Sequence, residues 1–192
     1  MYIRASQHAR SAADVVEVIE RNPFAVMVTG MTASHLPFVL EDNVLYAHMA
    51  RANRHAAIVG AAESLVIFTG PHAYISPSWY ADRATAPTWD YVAVHCYGTA
   101  VVHDDADARN NIERLLARVE GDRWSMRELP ADDVERMIAN VVSFEIPVSR
   151  MEAKFKLNQG EKPERTRTAI AELERSGNGE LAEYVRRYND QR

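Results

Sequence analysis

The sequence predicts an α+β fold built on a closed or partly closed antiparallel β-barrel. Six or more short apolar runs are bounded by Gly, Pro, Asn or Asp, as β-strands usually are. The helical patterns between these runs do not alternate regularly with them, which argues against a doubly wound parallel sheet. A length of 192 residues with 47% hydrophobic residues is enough to bury one full core. We therefore expect a single domain over residues 1–192.

The strands are predicted where apolar and β-branched residues concentrate. Their ranges are 24–29, 35–40, 44–49, 65–68, 91–102 and 140–151. Residues 41–43, Glu-Asp-Asn, form a turn sequence that joins the second and third strands as a hairpin. Gly98 interrupts an apolar strand and predicts a barrel corner or a close backbone approach, and Pro147 predicts an edge or a bulge.

Helices are predicted where apolar residues recur at helical spacing after a capping residue. The ranges are 11–22, 53–62, 104–121 and 132–139. After Pro163 two thin apolar stripes are separated by Ser176-Gly177, which predicts a helical hairpin. Residues 161–192 are thus expected to be a C-terminal helical extension that packs on its own barrel or on a partner subunit.

A long connection is predicted between short strands at 66–68 and 92–94. Compact domains rarely keep such a connection unless it has a function. It contains the large aromatic residues Trp79, Tyr80, Trp89 and Tyr91. They indicate a binding site, or they fill one end of the barrel as ordinary core residues.

The composition excludes several classes of function. A net charge of −5 argues against a protein held on nucleic acid mainly by phosphate neutralisation. Cys96 is the single cysteine, which excludes an internal disulfide and any multi-cysteine metal site. The N-terminal residues lack an apolar leader, and no apolar run approaches the ~20 residues of a membrane span. Neither export nor membrane insertion is expected, and a cytoplasmic location fits.

Two basic segments could bind an anionic ligand. Arg51, Asn53 and Arg54 stand at the start of the predicted helix 53–62, where guanidinium groups and free backbone N–H groups favour an anion. Lys154 and Lys156 follow the last strand. The arginine segment could instead be a solvated basic turn, and the lysine segment could cover apolar surface with its side-chain stems.

The seven histidines show no zinc-peptidase spacing, and the sequence lacks nucleophile-elbow, phosphate-loop and dinucleotide motifs. A single axial ligand to haem needs no such spacing, and His55 and His72 fall at the rim of the expected pocket.

Several motifs resemble, in order and spacing, the PaiB family of FMN-binding split-barrel proteins. They are HLPF at 35–38, AHMARAN at 47–53, FTGPHAYISPSWY at 68–80, APTWDYVAVHCYG at 86–98 and the 154–159 run. The resemblance implies a dimeric split β-barrel with a cofactor pocket at the subunit interface. It also implies the function of its name-giving members, which are FMN-binding negative transcriptional regulators.

Three positions depart from the pattern of that family. They are Arg54-His55 where the family continues with Pro, Asp90 where it favours Asn, and 156–160 where it favours a different basic loop. At these positions the extra histidine and the altered basic loop resemble those of the piperazate synthases. That branch uses haem b to close an N–N bond in N5-hydroxy-ornithine. We therefore expect a haem-dependent N–N cyclase, with an FMN-binding regulator as the alternative and a flavin reductase or oxidase as a third possibility.

The resemblance implies roles for individual residues. His55 is expected to be the axial iron ligand, with His72 in reserve, and Glu152, Asp90 or Tyr91 is expected to take the proton of the substrate amine. The expected cofactor-binding residues are Arg51, Asn53, Arg54, His55, His72, Ser76, Trp79, Tyr80, Trp89, Lys154 and Lys156. The expected partners are a second copy of the chain and a small amino-acid substrate, with nucleic acid only if the protein is a regulator.

Overall fold

The computed structural model describes residues 1–190, apart from the side chain of Asp105. Its strands form two antiparallel sheets, one in the order β2-β1-β5-β6-β9 and one in the order β3-β4-β8-β7. The strands are β1 Phe24–Thr29, β2 Thr32–Pro37, β3 Val39–Glu41, β4 Val44–Ala50, β5 Glu63–Ile75, β6 Thr88–Thr99, β7 Val101–Val102, β8 Val141–Pro147 and β9 Arg150–Lys156. The α-helices of the described chain are α1 Ala12–Arg21, α2 Asp105–Val119, α3 Ala131–Ala139, α4 Pro163–Arg175 and α5 Gly179–Asn189. The predicted α+β class and the C-terminal helical hairpin are confirmed.

Three predicted strands are each divided between the two sheets, and one of them is the prediction at 91–102, which covers most of β6 and all of β7. The prediction at 35–40 covers the end of β2 and the start of β3, and the prediction at 140–151 covers β8 and the start of β9. Between β8 and β9, Val148 N–H donates to Asn43 O at 3.0 Å and Ser149 N–H donates to Tyr97 O at 2.8 Å. These bonds satisfy backbone N–H groups where the chain passes from one sheet to the other. The apolar sequence pattern therefore continues across a point at which the strand itself is interrupted.

Nearly half of the predicted long connection is β-strand. β5 continues to Ile75 and β6 begins at Thr88, which leaves a loop of residues 76–87. In the last part of β5 the side chains alternate, with His72 and Tyr74 exposed and Ala73 and Ile75 buried. Gly70-Pro71 reads as a strand terminator in sequence, but here it lies within the extended strand.

The predicted helix at 53–62 is a single turn of 3₁₀ helix over Arg54–Ala57. Asn53 does cap it, since its side chain accepts from His55 N–H at 3.0 Å. The chain then turns at Gly60, whose φ of +81° is accessible to glycine and where an added Cβ would lie 2.8 Å from Ala100 O. One short turn has too few aligned peptide groups for a helical anion site, so that part of the prediction is wrong.

The contacts of the chain group it into two compact units. The first comprises residues 1–18, 69–94 and those from Ala153 onward, and the second comprises residues 19–68 and 95–152. That 1–192 is one domain stays a prediction, and its last two residues lie outside the described part.

The first unit packs its helical hairpin on its own α1 and β9. The Phe155 and Tyr188 rings stack at 5.0 Å between centroids, and Tyr188 OH donates to Asp14 Oδ2 at 2.8 Å. Leu173, Leu181 and Val185, which belong to the predicted apolar stripes, are almost fully buried. The tail is therefore covered by its own chain.

The second unit has an aromatic core and a close contact at Gly98. The Phe38 ring meets Phe68 and Phe144 edge-on, at 6.0 and 6.5 Å between centroids. A Cβ on Gly98 would meet the backbone oxygen of Pro147 and lie 2.7 Å from Ile146 Cγ2. The predicted close backbone approach is confirmed. Among the described residues, no helix has the length and apolar composition needed to cross a bilayer.

Candidate cofactor site

Three rings from neighbouring strands form an exposed aromatic face in the first unit. His72 and Tyr74 lie on β5 and Trp89 on β6, with the Trp89 ring centroid 6.1 Å from His72 and 6.3 Å from Tyr74. Trp89 is 54% exposed and Tyr74 46%. Large aromatic surface left open in this way suits a flat, apolar ligand or a partner. We call these three residues the aromatic face.

His72 has one ring nitrogen held and the other open. Its Nδ1 lies 3.1 Å from Gly70 O. A carbonyl oxygen can only accept, so Nδ1 carries the proton and Nε2 keeps its lone pair. The side chain is exposed, and Nε2 has no partner among the described residues. A backbone carbonyl that fixes the imidazole tautomer is the usual second partner of a metal-binding histidine.

His55 has both ring nitrogens engaged inside the second unit. Nδ1 lies 3.0 Å from Ser34 Oγ, and Nε2 lies 2.9 Å from Thr29 Oγ1. Asn53 Nδ2 donates to Ser34 Oγ at 3.0 Å, and Thr29 Oγ1 lies 2.7 Å from Ser64 Oγ. The residue is fully buried, and this burial lowers the pKa of His55, so the ring is neutral. In this structure His55 links hydroxyl groups of the core.

Asp90 points to the other side of β6 from Trp89, because neighbouring residues of a strand face opposite ways. It is 1% exposed, and its Oδ1 lies 3.5 Å from Lys156 Nζ. Burial raises the pKa of Asp90 to about 6, and Lys156 opposes that rise. Lys156 Nζ also donates to Thr88 Oγ1 at 2.5 Å and to the Trp89 carbonyl. Lys156 therefore stabilises β6 from its buried side.

Tyr91 lies on the same side of β6 as Trp89, two positions along the strand. Its ring centroid is 5.3 Å from Lys154 Nζ, which also donates to Tyr2 O at 3.0 Å. Lys154 is only 9% exposed. Its ammonium is therefore held between two tyrosines beside the aromatic face.

The loop 76–87 contains the remaining predicted residues of the first unit. Ser76 Oγ accepts from Ser78 N–H at 3.1 Å and caps the short turn that carries Trp79, which is half-buried. Tyr80 is 5% exposed, and the Arg165 guanidinium lies 5.4 Å from its ring centroid. Burial, and then the Glu161 charge, raise the pKa of Tyr80. These residues pack the loop against the helical extension.

The other predicted residues belong to the second unit, where Arg51 and Glu152 already have protein partners. Arg51 donates from Nε to Ala139 O at 2.8 Å and from Nη2 to Val141 O at 2.7 Å. Glu152 pairs with Arg150 and accepts from Tyr97 OH at 3.2 Å. Arg54 is exposed.

The predicted set is thus brought together only in part. His72, Trp89, Tyr91 and Lys154 gather around one face, while Arg51, Asn53, Arg54, His55 and Glu152 lie in the other unit. Sequence reasoning missed Tyr74. The alternation of exposed and buried residues at 72–75 is the signal that could have found it.

Residues 1–150 match the model of a protein family described as "Putative FMN-binding domain". The match covers more than half of the chain. The chain belongs to this FMN-binding domain family.

The relatives agree with that assignment. The protease synthase and sporulation protein PAI 2 of Bacillus subtilis is 32% identical over 192 aligned residues, covering 93% of this chain and 91% of that protein. The FAD and heme binding protein from Mycobacterium smegmatis has a similar fold, with a TM-score of 0.65 and 16% identity over 81% of this chain and 76% of that one. The flavocytochrome Anf3 from Azotobacter vinelandii also has a TM-score of 0.65, with 13% identity over 82% and 73%.

These similarities confirm the PaiB-like resemblance and the split-barrel type of fold. The family match supports FMN, one of the two predicted cofactors, for this family. The two structural neighbours are named as an FAD- and heme-binding protein and a flavocytochrome, and their similarity to this chain is one of fold.

Proposed function

We propose that this protein is a haem-binding enzyme and that His72 is the axial ligand to iron. One observation carries the proposal: Nδ1 of His72 is held by Gly70 O, while Nε2 is open on an exposed ring. An axial ligand needs an open ring nitrogen. This argues against His55, because binding iron would break one of its two buried hydrogen bonds. We therefore move the proposed axial ligand from His55 to His72.

The residues around His72 fit a flat macrocycle. Trp89 and Tyr74 offer exposed ring surface on which a planar aromatic cofactor can stack. Lys154 and Lys156 already bond protein oxygens, so we propose that they shape this part of the sheet and do not bind cofactor carboxylates directly. The family resemblance and the two flavin- and haem-binding neighbours of similar fold support the choice of cofactor.

The reaction that we propose is closure of an N–N bond in N5-hydroxy-ornithine. The N–N bond forms as the N–O bond breaks, the α-amine loses a proton and the hydroxyl leaves as water, so that no external oxidant or reductant is needed. Haem iron, when bound, supplies the Lewis acidity that makes the N–O oxygen a better leaving group.

Of the three predicted proton acceptors, we favour Tyr91. It lies on the side of β6 that carries Trp89, whereas Asp90 faces the buried side. Glu152 is held by Arg150 and Tyr97 in the second unit. We propose that Tyr91, whose ring centroid lies 5.3 Å from Lys154 Nζ, accepts or relays the amine proton.

The absorption spectrum tests the axial ligand independently of turnover. His72→Ala is expected to lose the Soret spectrum of the haem-loaded wild type, and added imidazole to restore it by replacing the missing ligand. His55→Ala is expected to keep the spectrum but to unfold more easily, because it removes two buried hydrogen bonds, each worth about 0.5–1.5 kcal/mol. His35→Ala, at an exposed histidine, is the control. A normal spectrum in His72→Ala would exclude His72.

Loss of water from N5-hydroxy-ornithine, followed by mass spectrometry, tests the reaction. We expect turnover by the haem-loaded wild type, none by His72→Ala, and a slower rate in Tyr91→Phe with the haem spectrum unchanged. A haem-loaded wild type that leaves the compound intact would exclude this substrate while leaving the haem site standing.

The second candidate function is an FMN-binding negative transcriptional regulator. The family model and the PAI 2 relative favour it, and the aromatic face can equally stack an isoalloxazine ring. Quenching of tryptophan fluorescence by FMN, compared between wild type and His72→Ala, separates the two candidates. Three results together would favour the regulator over the enzyme. They are FMN binding that is unchanged in His72→Ala, the absence of a haem spectrum, and binding to promoter DNA.

A further inference from the structure

A polar cavity of about 490 Å³ lies in the second unit, beside β7 and the start of α2. Its size is within the range of small-molecule sites. Its wall combines one arginine, several carboxylates and two half-exposed valines. The residues used below are Tyr46, Val101, Val102, His103, Asp104, Asp107, Arg114 and Glu145.

Arg114 is pre-arranged to bind a carboxylate. Its guanidinium lies 3.9 Å over the Tyr46 ring centroid, and its Nε donates to Glu41 Oε2 at 2.7 Å. These two contacts fix the plane of the group. Nη1 and Nη2 have no partner among the described residues, so the two terminal amino groups remain for a ligand oxygen.

A series of hydrogen-bonded side chains holds Glu145 in position. Asn111 Nδ2 donates to Ser143 Oγ at 2.7 Å, Ser143 Oγ lies 3.1 Å from His103 Nδ1, and His103 Nε2 lies 3.4 Å from Glu145 Oε2. Asn111 and Ser143 are at most 2% exposed. Because Ser143 accepts from Asn111, its own hydrogen can go to His103 Nδ1, and Nε2–H then faces the carboxylate. This leaves Glu145 Oε1 for a ligand.

The opposite charges flank one ring without neutralising each other. Glu145 is the cross-strand partner of Tyr46, on which Arg114 stacks, yet Glu145 and Arg114 form no ion pair. On α2, Asp107 precedes Arg114 by two turns, about 10 Å along the axis. A ligand with a carboxylate and separated ammonium groups would meet both signs.

We infer that this cavity binds a basic amino acid, with its α-carboxylate on Arg114 and its ammonium groups on Glu145 and Asp107. The carboxylates of Asp104, Asp107 and Glu145 outnumber the single guanidinium, so a ligand of net positive charge is favoured. Val101 and Val102, 52% and 51% exposed, offer apolar surface to its methylene chain. The site is independent of the proposed haem function.

Calorimetric titration of the purified full chain with L-lysine tests this inference. Cadaverine lacks the carboxylate of lysine, and 6-aminohexanoate lacks its α-ammonium. Each should bind about ten- to hundredfold more weakly than lysine, because each loses one charge-assisted contact. Absence of lysine binding, or equal binding of cadaverine, would overturn the assignment.

Variants that remove one charge each locate the ligand. Glu145→Gln and Asp107→Asn are expected to weaken lysine binding about tenfold or more, and Arg114→Met to remove the preference for lysine over cadaverine. Asp122→Asn, at an exposed carboxylate elsewhere, is the control. His72→Ala should bind lysine normally, which separates this site from the cofactor site. Unchanged affinity in both Glu145→Gln and Arg114→Met would exclude the cavity.

Discussion

Trp89 and Asp90 are neighbours on β6 with opposite environments. Trp89 is 54% exposed on the aromatic face, whereas Asp90 is 1% exposed and faces the other side of the strand. The same contrast separates His72, with one open nitrogen, from His55, with none. At the scale of the residue, burial and hydrogen-bond partners decide which side chain can reach a ligand.

Replacement of Asp90 by Asn is expected to raise stability at neutral and alkaline pH. The folded-state pKa of Asp90 is about 6 against an ordinary 3.8, so the folded state holds this proton more tightly. The resulting stabilisation is complete below pH 3.8 and is lost as the pH rises through about 6. Asn keeps the shape of the side chain and removes the buried charge.

The measurement is urea unfolding of wild type and Asp90→Asn at several pH values. The free energy of unfolding of the variant minus that of the wild type should rise by up to about 3 kcal/mol between pH 4 and pH 8. Asp122→Asn, at an exposed position, should show no such rise. A difference that stays flat with pH would contradict the prediction.

The central strands are the elements that build the candidate site. β5 and β6 extend beyond the apolar runs 66–68 and 92–94, and their extensions carry His72, Tyr74 and Trp89. Cross-strand pairing brings residues of the two strands together, so a segment that looks like a loop supplies the aromatic face. The turn at Arg54–Ala57 also depends on tertiary structure. There the buried contacts of His55 outweigh the helix propensity of an Ala-rich sequence.

Gly98→Ala is expected to destabilise the second unit. The added Cβ would meet the Pro147 backbone oxygen and Ile146 Cγ2, and backbone cannot move aside as a flexible side chain can. Overpacking of this kind costs about 1–3 kcal/mol or more. Thermal unfolding measures the effect, with Gly179→Ala, which has open space around it, as the control. Equal melting temperatures for Gly98→Ala and the wild type would show that the strands can separate at this point.

At the scale of the whole molecule, assembly is the main open prediction. The apolar stripes of α4 and α5 are covered by the chain itself, so they do not require a partner. The aromatic face does expose Trp89 and Tyr74, and the family resemblance implies a dimer. We therefore propose a homodimer that uses the aromatic face.

Sedimentation at micromolar concentration is expected to show a dimer for the wild type. Tyr74→Asp should shift it toward monomer, because a charge in a closely packed apolar contact is costly. Met31→Asp, at a fully exposed apolar residue of a turn, should leave the dimer intact. A stable, well-folded wild-type monomer would exclude the homodimer.

The sequence by itself determined what depends on local pattern. Period-two runs indicated most strands, helical spacing indicated α1, α2, α3 and the C-terminal hairpin, and Gly98 indicated a close approach. The motifs around 35–38, 47–53, 68–80 and 86–98 indicated the family, which the match over residues 1–150 shows. Such signals need only the order of residue types along the chain.

Only the tertiary structure decided which predicted groups remain open to a ligand. His72 lies within a family motif and His55 directly follows another, at 47–53. Contacts with Ser34 and Thr29, 21 and 26 positions away, nevertheless engage both nitrogens of His55. Lys156 reaches Thr88 across 68 positions and Arg51 reaches Ala139 across 88. Hydrogen bonds of this range follow from how strands and helices pack, and packing brings together residues that no local pattern relates.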